Sequence, residues 1–193
     1  MLTTRLVFSA LWLLVVVQRL WEVQRSKRHE AKLRAQGAVE HAAGQMPWMI
    51  ALHAAWLVGT LGEVWLLRRP LVVALALPAF ALFMLGQALR ITAMRTLGER
   101  WTVKVITPVG GGPAVARGIY RYVRHPNYLG VVLEIAALPL MHGAYLSAAL
   151  FSALNGILLW RRIGAEERAL ASTSSYADQF RGRPRFIPGA ARP

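Results

Sequence analysis

Residues 71–89 form an apolar run of 19 residues that contains no charged side chain. As an α-helix this run rises roughly 28 Å, at about 1.5 Å per residue, which is close to the roughly 30 Å hydrocarbon core of a bilayer. A helix that is apolar on every side needs either the interior of a large protein or a lipid environment. A chain of 193 residues offers little such interior, so the run predicts a membrane-spanning helix.

Other apolar runs extend this prediction to an all-α integral membrane protein. Residues 6–21 and 47–67 have the length of further spans, which places three spans within residues 1–94. The apolar stretch 128–160 is too long for one span, so we expect it to form a helical hairpin of two helices that bends near Gly143. The sequence thus predicts a single domain with about five transmembrane helices.

The formal net charge of +14 comes from basic residues that flank the apolar runs. With five spans, one side of the membrane receives the clusters at 25–34 and 95–124 and the tail arginines, whereas the other receives only Arg5, Arg68 and Arg69. The positive-inside rule makes the first side cytoplasmic, so we expect the N-terminus outside and the C-terminus and site inside. Because the basic residues flank apolar spans, we expect no nucleic-acid partner.

The residue types that the chain lacks exclude several kinds of site. It has no cysteine, which excludes disulfides, thiolate metal ligands and cysteine nucleophiles. Asp178 is the only aspartate and no paired-histidine motif is present, so we expect no metal. Residues 22–45 are polar and of mixed charge, and we interpret them as a solvated connecting helix or loop.

The stretch 117–134, RGIYRYVRHPNYLGVVLE, carries the most unusual combination of residues. A basic and aromatic cluster leads directly into an apolar helix and includes the run RHPNY. Glu134 lies one turn after Gly130, and two interpretations stay open for it: it lines a pocket, or it pairs with Arg90 or Arg95.

A second polar motif, RRIGAEE, follows the apolar hairpin, and its Arg162 and Glu166 share one helix face four residues apart. One interpretation is an ordinary surface ion pair. The other is a polar lining around a small zwitterion, with Arg124 and His125 on a carboxylate and Glu166 on an amino group. In that case aromatic faces for an adenine ring or a sulfonium come from Tyr120, Tyr122 and Tyr128.

At these residues the chain resembles the isoprenylcysteine carboxyl methyltransferases and their bacterial relatives. The resemblance covers about 97–188 and rests on the order Gly118-x-Tyr120, Arg124-His125-Pro126-x-Tyr128-x-Gly130, the apolar hairpin and Arg162-x-x-x-Glu166-Glu167, with Tyr176 and a tail of arginine and proline behind it. The segment 101–106 looks closer to bacterial members that methylate polyketide phenols and alkylpyrones. A glycine-rich run at 110–112, followed by Pro113, replaces the histidine-containing stretch of eukaryotic members.

The resemblance implies a pocket for S-adenosyl-L-methionine on the cytoplasmic side of a bacterial membrane, closed by loop 98–127 and a C-terminal helix. It places Arg162 on the acceptor side as the catalytic residue, and we add Glu134 as a second candidate for acceptor binding. The cofactor contacts that it implies are Gly112, Pro113, Ala114, Val115, Tyr120, His125, Pro126, Asn127, Tyr128 and Glu166.

The expected reaction is transfer of the activated methyl group to an oxygen of a lipophilic or lipidated acceptor that enters from the membrane lipid. A carboxylate acceptor is already ionised at neutral pH, whereas a phenol or enol must lose a proton, which a nearby arginine favours. Three alternatives stay open at this point. The first is an NADPH-dependent membrane reductase of a sterol-like or polyprenyl substrate, because such enzymes share the RHPNY run. The second is a phospholipid N-methyltransferase, and the third is a membrane scaffold without activity.

Overall fold

A computed structural model of the chain describes residues 2–108 and 113–189. The fold is mostly helical, and short 3-10 turns lie at Ala43–Gln45, Gly98–Arg100 and Gly118–Arg121. In chain order the other elements are α1 (Leu2–Ala35), β1 (Val39–His41), α2 (Met46–Leu67), α3 (Val73–Leu97), β2 (Val105–Thr107), α4 (Pro126–Leu140), α5 (Tyr145–Thr173) and α6 (Tyr176–Gln179).

Among the described residues, three helical segments are long and apolar enough to cross a membrane: Leu2–Ala35, Ala43–Leu67 and Val73–Arg100. They agree with the three spans predicted within residues 1–94. Their large apolar side chains are widely exposed, for example Val58 at 70% and Leu77 at 65%, as expected for surfaces that face lipid.

The number of membrane spans stays a prediction, because the lengths of the last two helices do not decide it. Helix α4 has 15 residues and is therefore roughly 22 Å long, shorter than the roughly 30 Å hydrocarbon core. Helix α5 has 29 residues, but its part after Trp160 is charged. The two helices contact each other and are joined by residues 141–144; the membrane hairpin that bends near Gly143 stays a prediction.

The prediction of a solvated connecting helix or loop over residues 22–45 holds for most of their side chains, which are exposed or half-buried, but it misses one buried helix face. Helix α1 runs without a break through the membrane-length part and on to Ala35. Along this extension Glu22, Ser26 and Glu30 are buried, at spacings of four residues that place them on one face. The extension therefore packs against the rest of the protein, because its polar face finds charged and backbone partners there.

A small β-sheet departs from the all-α expectation. After α1, strand β1 pairs antiparallel with β2, with Val39 opposite Thr107 and His41 opposite Val105. His41 Nε2 also lies 2.7 Å from Thr107 Oγ1. This pairing ties the segment after α1 to the loop that precedes the RHPNY motif.

Helices α3 and α4 pack closely at two glycines. A Cβ atom on Gly130 would lie 2.6 Å from Arg90 Cγ and 2.7 Å from the carbonyl oxygen of Gly86. Since such distances are well below van der Waals contact, only glycine permits this crossing. The close approach brings Arg90 of α3 beside Glu134 of α4.

The apolar core lies between the helices and includes Trp56, Ile135, Leu138 and Phe151. The indole Nε1 of Trp56 donates to the carbonyl oxygen of Ile135 at 3.1 Å. The polar group of this large buried side chain is thereby satisfied, and α2 is fixed against α4.

Candidate functional site

The loop that precedes α4 enters the site through the 3-10 turn Gly118–Arg121. Gly118 has φ +56°, and a Cβ atom there would lie 2.8 Å from Thr96 Oγ1, so both backbone conformation and space require glycine. The turn buries the ring of Tyr120 in a cluster with Tyr176 and Phe180. Tyr176 and Phe180 stack with their ring centroids 4.7 Å apart.

Tyr128, in the first turn of α4, joins the two sequence motifs. Its hydroxyl donates to a carboxylate oxygen of Glu166 and accepts from Nε of Arg162 at 2.9 Å. A second guanidinium nitrogen of Arg162 donates to the carbonyl oxygen of Val103. The Arg162 side chain is buried, so its charge is held at two points inside the protein. Arg162 and Glu166 therefore meet at one buried hydroxyl.

Glu167, the next residue, is surrounded by cationic and histidine side chains. Its Oε1 lies 3.0 Å from Nε2 of the buried His125 and 3.4 Å from Nη1 of Arg124. Its Oε2 lies 2.7 Å from Nη2 of Arg185. Burial alone would raise the pKa of Glu167, but the hydrogen bonds from His125 and Arg185 outweigh it and lower the pKa to about 2. The Glu167 carboxylate is therefore ionised at neutral pH and holds these three side chains together.

The tail residues 183–186, which we call the C-terminal strap, lie against the RHPNY motif. The backbone N–H groups of Arg124 and His125 donate to the carbonyl oxygens of Pro184 and Arg185, both at 3.0 Å. The side chain of Arg124 donates to the carbonyl oxygen of Arg183 at 2.9 Å. Together with the ion pair between Arg185 and Glu167, these bonds hold the strap over the site.

A cavity of about 150 Å³ lies between the loop, the start of α4 and the polar end of α5. It shares lining residues with an outer cavity of about 750 Å³. Small-molecule sites are typically about 300–1,000 Å³; the outer cavity falls in this range, whereas the inner cavity alone is smaller. Eight of the predicted cofactor residues line the inner cavity, namely Pro113, Ala114, Val115, Tyr120, His125, Asn127, Tyr128 and Glu166.

The remaining predicted residues are not among the described residues that line the inner cavity. Gly112 is outside the described residues. Pro126 is buried at the start of α4 and is not among the described residues that line the cavity. Arg162 lies behind Tyr128, and Tyr122 is exposed at 61%. The proposed aromatic role of Tyr122 is therefore unsupported.

Glu134 lies in a buried cluster of charges and does not line the inner cavity that the structure describes. It pairs with Arg19 and lies 3.6 Å from Nη1 of Arg90. Glu22 completes the cluster, since it pairs with Arg19 at 2.7 Å and also with Arg90. Of the two interpretations left open by the sequence, this geometry supports pairing with Arg90, and a contact of Glu134 with the acceptor stays a prediction.

Several lining residues were not singled out by the sequence reasoning. Two of them, Leu170 and Ser174, follow Glu166 at four-residue intervals, and this helical spacing could have identified them. For the others no local pattern points to a pocket. These are Leu33, Leu97, Arg100, Pro108 and Phe180. The cavity is also lined by residues that the resemblance named without assigning them a contact, namely Trp101, Thr102, Lys104, Val105, Ile106 and Tyr176.

Comparison with known proteins finds a family match over the part of the chain that holds both polar motifs. Residues 77–172 match the model of the Isoprenylcysteine carboxyl methyltransferase (ICMT) family. The chain belongs to this family. The matched range includes α4, most of α5 and both polar motifs, and it leaves out α1, all of α2, α6 and the C-terminal strap.

Three other proteins are similar to this chain in sequence. The uncharacterized protein YpbQ of Bacillus subtilis is 36% identical over 84% of this chain and 98% of its own length. The Protein-S-isoprenylcysteine O-methyltransferase of Schizosaccharomyces pombe is 33% identical over 57% of this chain and 48% of that enzyme. An uncharacterized protein of Haemophilus influenzae is 28% identical over 81% of this chain. The family and the yeast enzyme support a methyltransferase with membrane-type helices.

Proposed function

We propose that the protein transfers the methyl group of S-adenosyl-L-methionine to an oxygen of a lipophilic acceptor. The observation that carries this proposal is the junction at Tyr128. Tyr128 and Glu166 line the cavity, while Arg162 contacts the same hydroxyl from behind. A cavity for the cofactor and a buried cation for the acceptor are thus joined by one side chain.

The residues around the cavity fit the chemistry of this cofactor. Asn127 lines the cavity, and its buried Oδ1 has no hydrogen-bond partner among the described residues, so it can accept from an ammonium or an adenine amino group. Glu166 offers a carboxylate to the ammonium, and Tyr120 an aromatic face to the ring or the sulfonium. His125 and Arg124 already contact Glu167, so a cofactor carboxylate would have to share them.

The bound cofactor supplies an activated methyl group, so the protein's task is placement of the acceptor and exclusion of water. Arg162 supplies a buried positive charge that orients a carboxylate or favours the anion of a phenol or enol. The strap and the turn at 118–121 cover the site from the cytoplasm. We place the acceptor's apolar tail between the helices, where it enters from the bilayer.

For the acceptor we propose a phenolic lipid or alkylpyrone, on the resemblance of segment 101–106 to bacterial members with such acceptors. An isoprenylcysteine carboxylate is the acceptor in the name of the yeast relative, and the assay should include both. We further propose that the protein lies in a bacterial cytoplasmic membrane with five spans, its N-terminus outside and its site inside, as the distribution of basic residues favours.

The test is a pair of substitutions with separate readouts. Glu166→Ala should weaken the binding of S-adenosylhomocysteine, measured by calorimetry in detergent. Arg162→Ala should abolish turnover and keep that binding within about threefold, because Arg162 lies outside the cavity lining. Asp178→Ala removes a carboxylate that is 85% exposed and serves as the control.

Three results would count against the proposal. Unchanged affinity for S-adenosylhomocysteine in the Glu166→Ala variant would show that the cofactor does not bind where we place it. Binding of NADPH without binding of S-adenosylhomocysteine would favour a reductase. Methylation of a phospholipid amine, with phenolic and isoprenylcysteine acceptors untouched, would favour an N-methyltransferase.

A further inference from the structure

The loop 101–104 is held between Arg162 and the last part of α1, residues 22–35. The backbone N–H of Val103 donates to Ser26 Oγ at 2.8 Å, and its carbonyl oxygen accepts from Arg162. Two residues earlier, the carbonyl oxygen of Trp101 lies 2.7 Å from Nδ1 of His29. Ser26 and His29 are three residues apart on one face of α1, so the helix fastens the loop at two points.

Ser26 is completely buried, and both hydrogen-bonding functions of its hydroxyl are used. The oxygen accepts from Val103, while its proton is donated to Oε1 of Glu30 at 2.7 Å. Glu30 is itself buried, and its other oxygen lies 3.7 Å from Nζ of Lys104 in the same loop. Since a buried hydroxyl with both partners in place has one orientation, Ser26 fixes the direction of the Val103 peptide.

Arg162 depends on that peptide for one of its two described hydrogen bonds. The other is the bond from Nε to the hydroxyl of Tyr128. A planar guanidinium held at two separate nitrogens cannot rotate about its stem. If the Val103 carbonyl is free to turn, only the bond to Tyr128 still holds the group.

We propose that Ser26 is a positioning residue for Arg162, acting through the backbone of Val103. This inference rests on the proposed function, because it assigns Ser26 an effect on the acceptor-side cation. Helix α1 lies outside the range 77–172 that matches the family model. The role is therefore supplied by a part of the chain that the family motifs do not include.

The first experiment compares Ser26→Ala with a matched serine. The control is Ser172→Ala, which removes an exposed hydroxyl that donates to a carbonyl of its own helix. We expect Ser26→Ala to lower kcat about tenfold, because it removes the partner of the half-buried Val103 N–H and frees the Val103 peptide. Affinity for S-adenosylhomocysteine should stay within about twofold, and the control should match the wild type.

The second experiment asks whether the effect passes through Arg162. Arg162→Lys keeps a positive charge but cannot hold Tyr128 and Val103 together. Added to this variant, Ser26→Ala should lower kcat by less than about twofold, since the contact on which it acts is already lost. A full tenfold loss in both backgrounds would show that Ser26 acts independently and would overturn the inference.

Hydrogen exchange provides a readout without activity. Ser26→Ala should speed amide exchange in the peptide that contains residues 101–104, whereas unchanged exchange would show that Ser26 does not fasten the loop and would overturn the inference. If the wild type binds no S-adenosylhomocysteine and transfers no methyl group, the proposed function fails. If the wild type is active and Ser26→Ala has wild-type kcat, only the positioning role fails.

Discussion

The buried charge cluster makes the substitution Glu134→Gln informative. Glutamine keeps the shape of the side chain but removes its negative charge. In the cluster two arginines, Arg19 and Arg90, face two carboxylates, Glu22 and Glu134. The four charges cancel, and the substitution leaves one uncompensated positive charge among them.

The size of the effect follows from burial. The side chains of Arg90 and Glu134 are only 7% and 2% exposed, so water cannot replace the lost partner. Breaking a buried ion pair from one side typically costs about 3–5 kcal/mol, and an unpaired charge at the centre of a membrane helix costs about 2.5–3.5 kcal/mol on insertion scales. Arg19 is 14% exposed and keeps Glu22, which lowers the cost. We therefore expect a loss of about 3 kcal/mol in the free energy of unfolding.

The assay is reversible unfolding in mixed detergent micelles, followed by circular dichroism. Asp178→Asn removes an exposed carboxylate and should leave the unfolding midpoint unchanged. Affinity for S-adenosylhomocysteine should stay within about twofold in Glu134→Gln, because Glu134 does not line the cavity. A stability loss below about 1 kcal/mol, with a raised KM for the acceptor, would refute the structural role and return Glu134 to the acceptor site.

Three further predictions concern the packing and the site. Gly130→Ala should lower the unfolding midpoint clearly, because its Cβ would lie 2.6 Å from Arg90 Cγ; a wild-type midpoint would show that α3 and α4 can separate at little cost. Tyr128→Phe should lower kcat at least tenfold, because Arg162 loses a bond to the cavity wall; normal kcat would contradict the junction. Glu167 has a folded pKa of about 2, below its ordinary 4.5, so its stabilisation is present above pH 4.5 and is lost as the pH falls towards 2. Unfolding midpoints of wild type and Glu167→Gln should therefore differ at neutral pH and converge over that range, and a constant difference would argue against the pairing.

Local properties of the sequence were enough to predict the long spans. Apolar length is a property of a continuous segment, and the run 71–89 lies almost entirely within α3, Val73–Leu97. Pro47 begins the predicted span 47–67, and it lies in the first turn of α2, where its missing N–H costs nothing. The family resemblance assigned Tyr120 and Glu166 to one site, and both line the inner cavity; their contact with a cofactor stays a prediction.

Contacts between distant segments could not be read in this way. Serine and glutamate in α1 look solvated from composition, yet Ser26 meets Val103 across 77 positions and Glu22 meets Arg90 across 68. The strap was only a basic tail in the sequence, and its role depends on the carbonyls that Arg124 and His125 reach.

The sequence by itself therefore determined the membrane class, the long apolar helices and the family motifs of this protein, because each depends on residues near one another in the chain or on a recognised order of residues. Only the tertiary structure decided which polar groups are buried. A polar side chain is stable away from water only if a partner lies within hydrogen-bond distance. For Glu134 that partner is an arginine on another helix, and for Arg162 it is a backbone carbonyl held by α1.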